Sequence, residues 1–356
     1  MERTIFTEDH DAFRAACKEY VNRHLAPNVE QFIKDKAFPR QLWLEAGKAG
    51  FLGLEIPEEY GGSAAGDYRY NAIFAEELAK VGMAPASCFG IHYDIVAPYL
   101  VVLTTEEQKK RWLPRMATGE LIGAIAMTEP GTGSDLQSVK TTAKKDGNCY
   151  VINGAKGISL VCVETDEVEG FRRGRKLDKI GLHSQDTSEL FFEDVKVPAA
   201  NLLGEGEGRG FFSLMEALPS ERLQIALQGI AMIERAIDET VKYTRERKAF
   251  GKAVMDFQNT QFVLADCKAK AIVARVFCNW AVGQLMAGKL DAYTASMAKL
   301  WVTDEQVKIV DACLQLFGGY GYMNEYPIAQ MYRDARVQKI YGGTNEIMKV
   351  LIARAL

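Results

Sequence analysis

The chain has 356 residues, more than one ordinary domain holds, so two or three domains are expected. Hydrophobic residues make up 48% and charged residues 25%, an ordinary globular balance. A net charge of -4 gives no overall pull toward nucleic acid and excludes binding driven by global charge.

The first third reads helical. Thr7 can cap a helix whose first turn carries Glu8 and Asp9, and Phe13, Cys17, Tyr20, Val21 and His24 then share one face. "FPRQLWLEAGKAGFLGL" ends a helix at glycine, "IPEEYGG" is a loop, and "DYRYNAIFAEELAKVG" is a helix stopped at Gly82. "TTEEQKKRW" opens with a capping box, either Thr105 with Gln108 or Thr104 with Glu107. Four or five helices are expected here.

The texture changes near Leu121. "LIGAIAMTEPG" is a short apolar run, read as a strand ending at Thr128 and closed by Pro-Gly. Asp146-Gly147 joins two β-suited segments, a hairpin signal. "GISLVCVE" and "TSELFFEDVKVP" are strand-like. "FRRGRK" reads as a solvated basic face, and "GEGEGRGFF" as a flexible lead into helix rather than a phosphate loop, because no βαβ unit surrounds it. After Gly210 the helices are long. Leu223, Ala226, Ile230, Ile233, Ile237 and Val241 make a seam at spacings of three and four, as in a four-helix bundle. The expected fold is α+β and multidomain: an all-α domain over 1–120, a β-barrel or sandwich over 121–205, and a four-helix bundle over 206–356.

The seven cysteines are widely spaced without a CxxC, and the four histidines are dispersed. Neither a disulfide framework nor a metal site is expected, and a reducing cytoplasm suits the pattern. Acids at Glu2, Glu8, Asp9 and Asp11 speak against a signal or transit peptide. No stretch approaches the ~20 apolar residues of a membrane span. A cytoplasmic protein of bacterial type, with no integral membrane segment, is expected.

Taken singly, the remaining motifs are weak. "AMTEPGTGSD" offers clustered hydroxyls and free backbone N–H groups suited to a polar heterocycle and a phosphate. "RKAFGK" complements a helix C-terminus, and "QLFGGYGY" stops a helix. Their order is the stronger signal. "MTEPGTGSD", "VING", "KIGLHSQDTSELFFEDVKVP", "ERKAFGK", "LQLFGGYGY" and "IYGGTNEIMK" in succession resemble the acyl-CoA dehydrogenases over essentially the whole chain, and most of all their long-chain branch.

That resemblance implies FAD held between the β-domain and the bundle, with a neighbouring subunit completing the site. It also implies an acyl-CoA substrate, a trans-2-enoyl-CoA product, electron-transfer flavoprotein as acceptor, and a homotetramer. Ile125, Ala126, Met127, Thr128, Gly133 and Ser134 would line the flavin, with Ser134 also touching the acyl-CoA. Arg247 and Phe250 would reach the partner's FAD, and Gln258, Gln315, Gly318 and Gly319 its adenine half. Thr344 and Glu346 would bind FAD. Arg222, Tyr341 and Gly343 would lie at the acyl-CoA.

Many members carry their catalytic glutamate where this chain has Gly342. By resemblance to the long-chain and isovaleryl branches, Glu221 takes its place, while the Gly342 N–H helps hold the thioester carbonyl. A carboxylate desolvated in an apolar cleft is a better base near neutral pH. Without the resemblance, Glu221 reads as an acid beside Arg222 in a helix's first turn. A branched-chain or isoprenoid acyl-CoA dehydrogenase, a family oxidase and a non-catalytic CoA-binding scaffold stay open.

One departure stands out. After "VING" the family continues with an aromatic–Ile–Thr/Ser turn and a further strand, but here Gly154 runs straight into "AKGISL". Roughly two dozen residues are missing by ordinary strand and loop lengths. The expectation is that they are absent from the sequence as written rather than deleted. Gly154 and Ala155 should then stand farther apart than the ~3.8 Å of bonded neighbours.

Overall fold

The computed structural model describes residues 3–153 and 159–356. The expected break between Gly154 and Ala155 therefore lies outside the described residues.

The first domain comprises α1 (Glu8–Tyr20), α2 (Val29–Asp35), α3 (Arg40–Lys48), α4 (Arg69–Val81), α5 (Met83–Gly90), α6 (Ala97–Leu103) and α7 (Glu106–Ala117). Thr7 caps α1, and the Thr7 N–H donates to His10 Nδ1 at 3.2 Å. The α7 box uses Thr105 and Gln108: the Gln108 N–H donates to Thr105 Oγ1 at 3.3 Å. More helical segments appear than the four or five expected, in part because a π-helical turn, Ile91–Val96, divides one run into α5 and α6. That run, Met83–Leu103, is 21 residues long and apolar enough by composition to cross a membrane, which corrects the reading that no stretch approaches this length. It is half buried in the protein and holds His92 and Asp94 in the core, as an interior helix does.

Phe51, Phe74, Phe89 and Trp43 form an aromatic cluster continuous with the bundle seam, so the first and last domains share one core. Buried ion pairs reinforce the joint, with the Arg275 guanidinium 2.5 Å from Glu76. Burial alone would raise the Glu76 carboxyl, but Arg275, Arg3 and Arg14 hold it well below the usual range.

The middle region contains only small antiparallel sheets. β1 (Thr142–Asp146), β2 (Cys149–Asn153) and β6 (Val195–Pro198) form one, in the order β1-β2-β6. β3 (Leu160–Val161) pairs with β7 (Leu202–Leu203), and β4 (Phe171–Lys176) with β5 (Ser188–Phe192). The Asp-Gly hairpin forms, with Asp146 opposite Cys149 and Gly147 at φ +57°. Among its described residues, "GISLVCVE" supplies the two residues of β3. The strand expected over Leu121–Thr128 is not formed, because among the described residues no strand pairs with it. "FRRGRK" is β4, solvated and charge-paired, with Arg175 3.6 Å from Glu189.

In the last domain α8 (Gly210–Glu246), α9 (Gln258–Met286) and α10 (Ala292–Leu316) are long, and α12 (Asn345–Ala353) packs on α10. A short helix not foreseen, α11 (Pro327–Ala335), precedes the final turn. Leu223, Ala226, Ile230, Ile233 and Ile237 are buried as the seam predicts, and Val241 is half-buried. Between α8 and α9, β8 (Lys248–Ala249) and β9 (Lys252–Ala253) make a tight hairpin.

Candidate active site

Glu221 lies on α8, two residues after Pro219, whose missing N–H leaves a gap in the helical ladder. Tyr99 of α6 donates its phenol O–H to Glu221 Oε1 at 2.7 Å. Burial raises the Glu221 carboxyl above its ordinary range, while the Tyr99 hydrogen bond and Arg222 pull it partly back. A half-buried carboxylate of this kind can accept a proton from a weak carbon acid near neutral pH.

The turn before α12 bends through Gly342 at φ +64° and Gly343 at φ +91°. These are left-handed conformations that favour glycine. A Cβ on Gly342 would stand 2.5 Å from Ile225 Cδ1, so the tip of that side chain would have to shift to admit one. Arg222, next in the chain to Glu221, is buried, and its Nε donates to the Gly342 carbonyl at 3.3 Å. From α10, the fully buried Lys299 donates to the Gly343 carbonyl at 2.8 Å and to Asn345 Oδ1 at 2.7 Å. Burial, then Arg222, pushes the Lys299 ammonium down to about 7. Thr344 caps α12, its hydroxyl accepting from the Ile347 N–H at 3.3 Å. Tyr341 keeps its hydroxyl buried without a hydrogen-bond partner. Glu346 is exposed at the start of α12, pointing its charge toward a favourable helix end.

A separate cleft of about 570 Å³ brings together Arg247, Gln315, Gly318 and Gly319 with Tyr243, Tyr320 and Met323. The Arg247 guanidinium stands 5.5 Å from the Tyr320 ring centroid. Both glycines face open space where a Cβ would sit. Gln258, at the start of α9, and Phe250 do not line this cleft. Phe250 is 96% exposed at the hairpin tip, with φ +50°. On the β-domain, Ile125 and Met127 are half-buried while Ala126, Thr128, Gly133 and Ser134 are exposed. His92 anchors the start of this segment: its Nδ1 accepts from the Gly123 N–H at 2.9 Å.

Acyl-CoA dehydrogenase family models match the chain in three parts: the N-terminal domain at 7–120, the middle domain at 124–160 and the C-terminal domain at 208–356. The pig (Sus scrofa) mitochondrial long-chain specific acyl-CoA dehydrogenase is 45% identical, covering 99% of this chain and 88% of that protein. The chain belongs to the acyl-CoA dehydrogenase family. The solved acyl-CoA dehydrogenase from Geobacillus kaustophilus superposes with a TM-score of 0.95 at 45% identity, over 98% of each chain. An acyl-CoA dehydrogenase from Bacillus anthracis, solved complexed with FAD, superposes at 0.93 with 30% identity, covering 98% of this chain and 67% of that one.

Acyl-CoA dehydrogenases are FAD enzymes, and the residues of this acyl-CoA dehydrogenase fit that cofactor. The cleft offers an exposed cation, an aromatic ring and a glycine cradle that a side chain would fill, which suits a dinucleotide's phosphates and adenine. Two residues of the Glu221 site escaped sequence reading. Tyr99 sits in an apolar run and reads as core. Lys299 lies on the buried stripe of α10 with Ala295, Val302 and Gln306, and a lysine on such a stripe is the signal that could have found it.

Proposed function

We propose that this acyl-CoA dehydrogenase oxidises a long-chain acyl-CoA to the trans-2-enoyl-CoA, with Glu221 as base. The α-carbon loses its proton to the Glu221 carboxylate, the β-carbon loses a hydride, and a C=C bond forms. Bound FAD supplies the hydride acceptor. The Gly342 N–H holds the thioester carbonyl as enolate charge develops, a role that needs no side chain. Arg222, bonded to the Gly342 carbonyl, holds the peptide that follows and with it the turn. One observation carries the assignment: a carboxylate raised by burial is next in the chain to Arg222, which bonds the turn where position 342 has no side chain. The likeness to the pig long-chain protein supports the chain-length reading.

In this reading the units are 1–120, 121–205 and 206–356. The segment from Ile125 to Ser134 lines the flavin, and Thr344 and Glu346 bind FAD from the bundle. Ser134, Tyr341, Gly343 and Arg222 bound the acyl-CoA. Arg247, Phe250, Gln258, Gln315, Gly318 and Gly319 serve the FAD of a neighbouring subunit in a tetramer. Phe262, Val273, Val276 and Trp280 support that assembly, because they form an exposed apolar stripe along α9. Electrons pass on to an electron-transfer flavoprotein, and the free cysteines suit the cytoplasm.

The test is anaerobic flavin bleaching by an acyl-CoA series from short to long chains. Glu221→Gln should keep FAD and fold but lose about 10³-fold in bleaching rate, because an amide cannot accept the proton. Bleaching at the wild-type rate would remove Glu221 as base and direct attention to Glu346. A series peaking at short or branched chains would overturn the chain-length reading alone.

A further inference from the structure

Glu221 is the end rung of a polar zipper. Along α8, Glu221, Gln224 and Gln228 recur at spacings of three and four, so they share one helical face. Each is bonded to the Met83–Leu103 run. Glu221 receives the Tyr99 hydroxyl at 2.7 Å. Gln224 Nε2 donates to Asp94 Oδ2 at 2.6 Å. Gln228 Nε2 donates to the Ala86 carbonyl at 3.1 Å. As the α8 numbers rise the partner numbers fall, so the two helical runs lie antiparallel with their register fixed by these bonds. Asp94 is pinned further by Tyr68 at 2.9 Å and Asn71 at 2.8 Å.

We infer that Tyr99 is the positioning residue for Glu221, its phenol holding the carboxylate ionised and in one orientation while the zipper fixes the phenol. A glutamate has three side-chain torsions and wanders unless a donor fixes it. Among the described residues, Tyr99 is the only side chain hydrogen-bonded to the Glu221 carboxylate. The bond has the length of an ordinary to charge-assisted O–H···O contact. Two ionisable groups face the carboxylate: Tyr99 from α6, and Arg222 from its own helix. The Gly342–Gly343 turn brings no side chain. Burial first, then the charge of Glu221, pushes the Tyr99 phenol far up, so it stays a neutral donor at every working pH. Tyr99 comes from the N-terminal domain, so the base is set across the joint between domains.

This inference rests on Glu221 being the base, and its test separates the two claims. Tyr99→Phe keeps the ring and removes the donor. A bond that favours the charged form lowers a carboxyl's pKa, so its loss raises the Glu221 pKa. The acid limb of the kcat profile should therefore move to higher pH. On that limb the rate should fall by about 10-fold, with KM little changed. Difference infrared titration of the protein without substrate gives a second readout. The carboxyl band of Glu221, identified by its loss in Glu221→Gln, should titrate at higher pH in Tyr99→Phe. Difluorotyrosine at position 99, a stronger donor, should move both measures the other way and serves if Tyr99→Phe folds poorly. An unmoved acid limb and an unmoved band, with Glu221→Gln inactive, overturn the Tyr99 role alone. An active Glu221→Gln overturns the base assignment beneath it.

Discussion

On the bundle side of the active site, Arg222, Lys299 and Asn345 are all buried and bonded to or within the turn that carries Gly342. On the β-domain side, Ala126, Thr128, Gly133 and Ser134 are exposed, and the run leading to them pairs with no strand among the described residues. The contrast follows from what each side can pack against. The bundle shares one core with the N-terminal domain and can hold two consecutive glycines in left-handed backbone. Among the described residues the middle region has a smaller core of Ile152, Val195 and Val197, with Val161, Val163, Val168, Phe171 and Phe192 packed against it. The bundle side of the site is held by buried hydrogen bonds, and the β-side residues stand exposed.

The largest effect that tests the rigid half comes from moving the base. Glu221→Gly with Gly342→Glu places a carboxylate at the other locus used in the family. Recovery is limited because position 342 sits at φ +64°, which strains any side chain, and the tip of Ile225, 2.5 Å from the added Cβ, would have to shift. A misplacement of ~1 Å can cost ~100-fold. The double variant should therefore remain about 100-fold or more below wild type in flavin bleaching. Adding Ile225→Ala opens the space and should recover about another 10-fold. Full recovery by the double variant would mean that the turn yields easily and the bundle side is not rigid.

A smaller effect probes what holds the turn. Lys299→Met leaves the Gly343 carbonyl and Asn345 without their shared donor. The folded ammonium titrates at about 7, below the ordinary lysine value of 10.5. The unfolded chain thus binds more protons between these values, and wild-type stability gains as pH rises from 7 toward 10.5. Below that window the buried charge is a burden that Lys299→Met also removes. The variant should be close to wild type near pH 7 and about 2 kcal/mol less stable at high pH, where only the two hydrogen bonds are lost. Urea unfolding at both ends of the window checks this, and a gap that does not widen with pH would remove Lys299 as the clamp.

How far the sequence could be read follows the same divide. The bundle seam, the Thr105–Gln108 box and the Asp-Gly hairpin rest on neighbours within a few residues, and all are found. The Leu121–Thr128 segment differs from expectation because a short apolar run says nothing about whether a pairing partner exists. Glu221 enters as a candidate only through the order of motifs, since an acid beside an arginine is ordinary helix chemistry. Tyr99 was not legible at all. Its partner is 122 residues away, and a tyrosine in an apolar helix usually means core.

The smallest effect belongs to the open cleft. Arg247 is exposed, makes no ion pair among the described residues, and leans over Tyr320. Removing it should not disturb the fold, because surface changes away from packed or bonded groups are nearly neutral. If the cleft holds the phosphates or adenine of FAD, Arg247→Ala loses one charge-assisted contact and should weaken FAD binding by about 10-fold. The loss should shrink at high salt, since the contact is exposed and screened. Fluorescence titration of the apoprotein with FAD at low and high salt reads both. Glu221→Gln is the control, because it alters the base and leaves the cleft intact. An unchanged affinity in Arg247→Ala would take the cleft out of the FAD site. FAD would then have to be held by the bundle turn and the exposed Ile125–Ser134 segment, the side that the rest of the structure braces least.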